Sequence, residues 1–239
     1  MCRAKGTTGI GWSLVDAFMN CIVTAGPTYE PLDEVRRLIN FSTGKLGSEL
    51  GSLLASHGHK VTLLIGQQAT WRGGSEAQEI IPFTTTADLR ARLQSLASKP
   101  FQAVFHAAAV SDFKFGKIWR RLDGGGLEEM QAGKISSRAG PLLAELVSTP
   151  KIISELRGWF PHAWLVGWKY EIDGAQTDAI AEAEKQIAHS RIDACVANGS
   201  AYGSGFGLVA GQGKCTHFED TAALFGALEA GGRRKRGSG

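Results

Sequence analysis

Apolar positions along the chain follow two alternating rhythms. Short apolar runs occur at "CIVTAG" (21–26), "KVTLLIG" (60–66), "EIIPF" (79–83), "QAVFHAAAV" (102–110), "AWLVGWKYE" (163–171) and "DACVANG" (193–199). They are nearly continuous rather than alternating, which predicts strands buried on both faces. Between them apolar residues return at helical spacing, as in Leu46, Leu50, Leu53 and Leu54. Helices are predicted over 44–57, 86–98, 150–158, 174–190 and 219–230. Strands joined through helix-length connections make an α/β fold, a Rossmann-like doubly wound, mainly parallel sheet, with ligands expected beyond the C-terminal strand ends. The late stretch "GFGLVAGQGKCTHFED" alternates and predicts a C-terminal hairpin ahead of the last helix.

One segment breaks the rhythm. Residues 113–140, "FKFGKIWRRLDGGGLEEMQAGKISSRAG", mix Gly, Lys and Arg with aromatics only at the start. So long a connection inside one domain is expected to be a flap, arm or assembly element. The reading is therefore one domain over 21–230 carrying this flap, with an N-terminal extension over 1–20, whose folding the sequence leaves open, and a basic Gly-rich tail over 231–239, expected to be disordered.

Composition changes this picture little. The net charge of +3 rests on Arg233, Arg234, Lys235 and Arg236, and setting those four aside leaves the body one unit negative. No nucleic-acid-binding face is indicated. Cys2, Cys21, Cys195 and Cys215 show neither CxxC nor metal-ligand spacing, and Cys21 and Cys195 fall in strand-like runs, so they read as core residues of a reducing compartment. Neither a metal site nor a disulfide framework is expected. Asp16 interrupts the apolar stretch of the first twenty residues, no export signal or membrane span is recognised, and a cytoplasmic location is expected.

Candidate chemistry centres on "INFSTGKLGSEL" (39–50). A helix starting at Gly44 would aim the backbone N–H groups of residues 43–47 at an anion, and Gly44 and Gly47 would let a phosphate approach closely. The same glycines could simply tighten helix-to-strand packing. A dinucleotide site fits poorly: eighteen residues separate the first strand from Gly44, the second strand ends in Gly66 and Gln67 without the ribose-binding acid, and no Tyr-x-x-x-Lys pair is present. "HAAAVSD" (106–112) is similar to the Asn-Ala-Ala-Gly strand of short-chain reductases, but lacks the accompanying catalytic pair.

Six landmarks in order, "VTAGPTYEPLDEVRRLINFSTGKLG" (23–47), "HAAAVSDF" (106–113), "GKISS" (133–137), "STPKII" (148–153), "VGWKYE" (166–171) and "CVANG" (195–199), resemble phosphopantothenoylcysteine synthetase. The resemblance covers residues 21–230, and no counterpart of a flavin-dependent decarboxylase half is recognised, so the expectation is a free-standing synthetase. It implies a ligase that joins 4'-phosphopantothenate to L-cysteine at the expense of CTP or ATP, through an acyl-nucleotide, with Mg²⁺ carried mainly on the triphosphate. A homodimer, with the flap reaching towards the partner, and a separate flavin-dependent decarboxylase acting next are implied as well.

The resemblance also distributes roles. Asn40 would orient the pantothenoyl carbonyl of the anhydride, and Lys134, the first lysine of a Lys-x-Lys-Lys flap motif, would neutralise α-phosphate charge. Gly26, Thr28, Ser42, Gly44 and Gly47 would form the phosphate-facing loops, with Ala107 and Ala108 as small residues beside the base or ribose. Asp112 would accept from the nucleotide, Thr149, Pro150, Lys151 and Ile152 would line its pocket, Trp168 would form a wall, and Asn198 would close the last parallel strand. Bland readings stand beside these: a turn residue for Asn40, a solvated loop lysine for Lys134, a cap for Asp112, core packing for Trp168. The chain departs from the motif at Ser136 and Ser137, where lysines are expected, at Lys151 in place of an aspartate, and in a helix that keeps only Lys185. "INFSTG" and "WKYE" lean towards the ATP-using form, with CTP narrowly first. The alternatives are a divergent nucleotide-binding relative without turnover and, with less support, a nicotinamide-dependent reductase.

Overall fold

The computed structural model describes residues 18–236 except Ala132, Ser137 and Gln212. In chain order the elements are β1 (Asn20–Ala25), β2 (Tyr29–Pro31), β3 (Arg37–Ile39), α1 (Lys45–Ser56), β4 (Lys60–Gly66), β5 (Glu79–Phe83), α2 (Thr86–Leu96) and β6 (Ala103–His106). There follow β7 (Phe113–Arg121), β8 (Leu127–Glu129), β9 (Leu142–Ser148), α3 (Ile152–Trp159), β10 (Trp164–Tyr170), α4 (Gln176–Ser190), β11 (Ala194–Asn198), β12 (Phe206–Ala210), β13 (Lys214–Phe218) and α5 (Thr221–Arg236). The six predicted strands and five predicted helices are all present.

The main sheet runs β13-β12-β11-β10-β6-β1-β4-β5, parallel except for the antiparallel hairpin β12–β13 at one edge. Its six parallel strands follow the Rossmann order, which reverses direction between β1 and β6. Alternate strand residues feed two cores. Ile22, Leu64, Val104 and Leu165 meet Leu89, Ile152, Leu156 and Ala183 of α2, α3 and α4. Cys21, Val23, Leu63, Phe105 and Val166 meet Leu50 and Leu54 of α1 and Leu224 and Leu228 of α5. Burial on both faces is why these strands read as continuous apolar runs. Cys21 and Cys195 are fully buried, and burial pushes both thiols up to about 12, as suits core residues.

Three expectations need correcting. The arm expected to end at residue 140 runs further: its strands form an antiparallel sheet, β8-β7-β9, whose third strand extends it to Ser148. The tail does not begin at Gly231: α5 runs on to Arg236, Gly231 and Gly232 are buried, and a side chain on either would collide with Trp164 or Met19. Here the glycines permit close packing, and the charges find partners, Arg233 with Glu229 and Lys235 with Asp193 at 3.1 Å. At the other end Met19 is a core residue, so the domain begins before residue 21. The rest of the expected extension, residues 1–17, and residues 237–239 of the tail lie outside the described residues.

Gly47 meets the sheet so closely that a Cβ on it would stand 2.8 Å from Ala25 Cβ and 2.9 Å from the Thr24 carbonyl oxygen. Alanine favours a helix over glycine, so in open space Gly47→Ala would stabilise α1. Here the expected result is a loss of about 1–3 kcal/mol from forced overpacking, read as a lowered melting temperature. An unchanged or raised value would mean that α1 can move away without cost.

Candidate functional site

The site lies where the strand order reverses. Beyond β1, Gly26 takes a left-handed conformation (φ 79°), and its carbonyl accepts the Ala109 N–H at 2.9 Å, carrying the β1–β6 pairing past the strand ends. The long connection from β1 to α1 that argues against a dinucleotide fingerprint is filled by the β2–β3 hairpin. Gly44, also left-handed (φ 78°), turns the chain into α1 and rests directly on Gly26 and Ala69. The Thr43 carbonyl accepts N–H bonds from Thr70 (3.1 Å) and Trp71 (2.9 Å), fastening the loop after β4 to the glycine loop.

A cleft of about 430 Å³ opens in front of this turn, lined by Phe41 and the Ser42–Gly47 loop on one side, with Glu49, and by Ala107, Tyr170, Asn198, Phe206 and Thr221. That volume suits a small-molecule ligand. The first turn of α1 offers it backbone donors and the positive end of the helix dipole. Asn198 Oδ1 is buried and has no hydrogen-bond partner among the described residues. A buried polar atom without a partner needs a ligand or a water to satisfy it.

The expected residues divide. Ser42, Gly44, Gly47, Ala107 and Asn198 come together in the cleft. Thr28 is fully buried and accepts the Ser111 N–H at 2.8 Å, so it supports the site from below and does not face a ligand. Gly26 likewise acts through backbone packing. Ile152 is a core residue between sheet and helices, since as the first residue of α3 it faces inward. Trp168 packs beside the α1/α5 core, with its buried Nε1 unpartnered among the described residues. Ala108 donates its N–H to Thr24 Oγ1 at 3.1 Å. Asp112, Thr149 and Lys151 form a second group at the root of the arm: Thr149 N–H donates to the Asp112 carbonyl at 2.9 Å, and Lys151 pairs with the Asp112 carboxylate. Pro150 is exposed beside them. Asn40 is exposed and donates from Nδ2 to the Val110 carbonyl at 3.2 Å, tying the end of β3 to the loop after β6.

Lys134 does not line the cleft. It borders another cavity, of about 450 Å³, with Val35, Arg36, Ile135 and Ser136. Hydrogen bonds from Ile135 N–H to Asp33 Oδ2 (3.1 Å), from Arg36 to the Ile135 carbonyl (2.6 Å) and from Glu34 N–H to the Gly133 carbonyl (2.8 Å) hold it there. The Arg36 guanidinium holds the Asp33 carboxyl below the ordinary carboxylate range. Ser137, where the motif expects a further lysine, lies outside the described residues.

Sequence reasoning missed Phe41 and Tyr170 as cleft residues, whereas Lys45 stands between the two glycines of the loop it read as holding an anion. Phe41, fully exposed inside the quoted motif, carried a signal in its apolarity next to a glycine loop, whereas Tyr170 read only as the end of a strand.

Under the cleft floor His106 is buried, with Nδ1 2.9 Å from Thr24 Oγ1. Thr24 Oγ1, which also accepts the Ala108 N–H at 3.1 Å, thus ties His106 to the loop that follows β6. Burial pushes the His106 pKa down to about 4.

The match to the DNA/pantothenate metabolism flavoprotein C-terminal domain spans residues 17–223, which includes every strand and both cleft walls. The chain belongs to this family. It is 32% identical over 178 residues to the coenzyme A biosynthesis bifunctional protein CoaBC of Thermococcus kodakarensis, covering 74% of this chain and 40% of that protein. To the CoaBC protein of Bacillus subtilis it is 32% identical over 188 residues, covering 78% of this chain and 42% of the relative. The chain thus spans less than half the length of these relatives. Among solved structures, the DNA/pantothenate metabolism flavoprotein from Streptococcus pneumoniae superposes with a TM-score of 0.73 at 25% identity, covering 88% of this chain and 96% of that one. The Rossmann-like frame is therefore the fold shared with this family. Among the described residues no helix is long and apolar enough to cross a membrane.

Proposed function

We propose that this domain is a nucleoside-triphosphate-dependent phosphopantothenate–cysteine ligase. The observation that carries the reading is the cleft at the strand-order reversal, where the first turn of α1 faces Ala107 and Asn198, in a chain whose relatives are named for coenzyme A biosynthesis. In the proposed reaction the carboxylate of 4'-phosphopantothenate attacks the α-phosphorus of CTP or ATP and expels pyrophosphate. The amine of L-cysteine then attacks the acyl carbonyl and releases the nucleoside monophosphate. Backbone donors at α1 suit the triphosphate, and Mg²⁺ would travel on phosphate oxygens and water. Lys134 is proposed to meet the α-phosphate, which asks the 133–135 segment to carry it from its place beside Arg36. The family resemblance supports a homodimer, as do exposed Phe113, Leu127, Leu142, Leu146 and Val147 on the arm. The setting would be the cytoplasm, with a flavin-dependent decarboxylase acting next.

A second reading, a nucleotide-binding relative without turnover, draws on the Lys151–Asp112 pair, in which an internal cation occupies the carboxylate expected to meet the nucleotide. One assay separates the two: 4'-phosphopantothenate and Mg²⁺ with CTP or ATP, with and without cysteine, followed by mass spectrometry and pyrophosphate release. The expected result is a product of phosphopantothenoylcysteine mass with one monophosphate per product, and a kcat at least about 10-fold lower (about 1.4 kcal/mol in the barrier) in Lys134→Gln, from loss of one charge at the reacting phosphate. Nucleotide binding without pyrophosphate release would establish the second reading.

A further inference from the structure

We infer that Lys45 is the residue that grips the triphosphate, and that Trp71 and Glu49 hold its ammonium in a resting pose until a nucleotide arrives. The inference rests on the ligase reading for the reaction, although its test does not require turnover.

Lys45 is the sole cationic side chain among the described residues that line the cleft, and Glu49 is the sole acidic one. A cleft for a ligand carrying three or four negative charges needs a countercharge in addition to backbone dipoles, because donors at one helix terminus amount to only about half an elementary charge. Lys134 cannot supply it from its present position, in a different cavity. Lys45 is placed to do so: it is the first residue of α1, and its own N–H is already satisfied by Thr43 Oγ1 at 3.2 Å. Across the same cleft, Asn198 carries a buried Oδ1 without a partner among the described residues, an acceptor left for a donor group of the ligand rather than for its phosphates.

The contacts of Lys45 are weak ones. Its Nζ stands 5.0 Å from the centre of the Trp71 ring and 3.8 Å from Glu49 Oε1, and its side chain is 55% exposed. A cation over an aromatic face and a loose i,i+4 ion pair are both small contributions at an exposed site. A polyphosphate in the cleft outcompetes them. Trp71 is no chance neighbour, since its N–H is bound to the carbonyl of Thr43 in the glycine loop itself. The ring therefore travels with the loop, and departure of the ammonium changes the environment of a fluorophore.

The test uses the full chain. Wild type, Lys45→Met, Lys45→Arg and Trp71→Phe are titrated with CTP, ATP and inorganic tripolyphosphate in the presence of Mg²⁺, reading affinity by calorimetry and tryptophan emission. Circular dichroism confirms folding, which an exposed first-turn residue does not endanger. Expected are a 10- to 100-fold weaker Kd for every triphosphate in Lys45→Met, recovery to within about threefold in Lys45→Arg, and a ligand-dependent emission change that vanishes in Trp71→Phe. In turnover, the KM for nucleotide rises while kcat changes less. Lys45→Met binding as tightly as wild type overturns the inference, and so does wild type binding none of the three probes, which sinks the ligase reading too. Binding that depends on Lys45 without any ligated product refutes the ligase reading and upholds this one.

Discussion

Replacing Asn40 with alanine is expected to lower kcat for ligated product by about 10²- to 10³-fold, the loss typical of removing one positioned donor from a developing oxyanion. Asn40 sits between β3 and the cleft-lining loop, with its side chain steered by the 3.2 Å bond from Nδ2 to the Val110 carbonyl. That bond uses one of the two amide hydrogens and leaves a second hydrogen and an acceptor oxygen to offer to a substrate carbonyl. The residue is exposed, so the variant should fold with wild-type stability to within about 0.5 kcal/mol. If Asn40 acts on the anhydride rather than on the triphosphate, pyrophosphate release should fall less than product formation, and acyl-nucleotide should build up. Asn40→Asp should be at least as damaging, since it adds a negative charge beside the phosphates. Rapid-quench assays with mass detection follow both species. Product formation within twofold of wild type would remove Asn40 from the reaction.

The second large effect is on stability against acid. His106 is neutral and buried in the fold, with its pKa pushed down from 6.5 to about 4, while in the unfolded chain it titrates normally. Between those two values the unfolded state binds a proton that the native state refuses, so stability falls as pH falls. A shift of this size corresponds to about 3 kcal/mol, lost progressively from pH 6.5 downward and fully lost near pH 4. His59 adds in the same direction: burial lowers its pKa, and its Nδ1 accepts the Met19 N–H while Nε2 donates to Glu229 at 2.9 Å. The carboxylates act lower on the scale. Burial opposes ionisation of Glu229, but hydrogen bonds from His57, His59 and Arg233 hold it down to about 2, so its stabilisation is present above its ordinary value of 4.5 and fades only below that. Urea unfolding at pH 7.5, 6.5, 5.5 and 4.5 should therefore show a decline that begins with the histidines. His106→Gln should flatten much of it between pH 6.5 and 4.5. An equally steep decline in that variant would show that His106 is not the group responsible.

Much of the architecture is legible because one physical constraint writes it. A parallel strand buried on both faces must be apolar at successive positions, and the helices covering it must be apolar on one face, so "KVTLLIG" and Leu46, Leu50, Leu53 and Leu54 announce themselves without reference to any partner. The glycine loop was legible as glycines placed just ahead of a helical pattern, and the structure supplies a backbone reason for two of them: Gly26 and Gly44 both take positive φ, which few other residues tolerate. Those local requirements determined the strands, the helices, the C-terminal hairpin and the position of the cleft-forming turn.

Tertiary structure decided what faces what. Thr28 and Ile152 lie within motifs of the site, yet they point into the protein, because the direction of a side chain at a strand or helix end depends on the neighbouring elements. The arm hid its third strand because exposed β structure such as Leu142–Ser148 carries no core face to impose a pattern. The basic stretch after Gly231 read as a tail, since only the packed structure shows Trp164 and Met19 occupying the space that glycine leaves open. Lys45 and Lys134 look equivalent as lysines beside glycines. One stands in the cleft and the other in a separate cavity because hydrogen bonds between Asp33–Arg36 and Gly133–Ile135, about a hundred residues apart in the chain, draw the second away. Local sequence carries backbone conformation and burial, whereas the convergence of side chains on one ligand depends on contacts between distant segments, which no local pattern encodes.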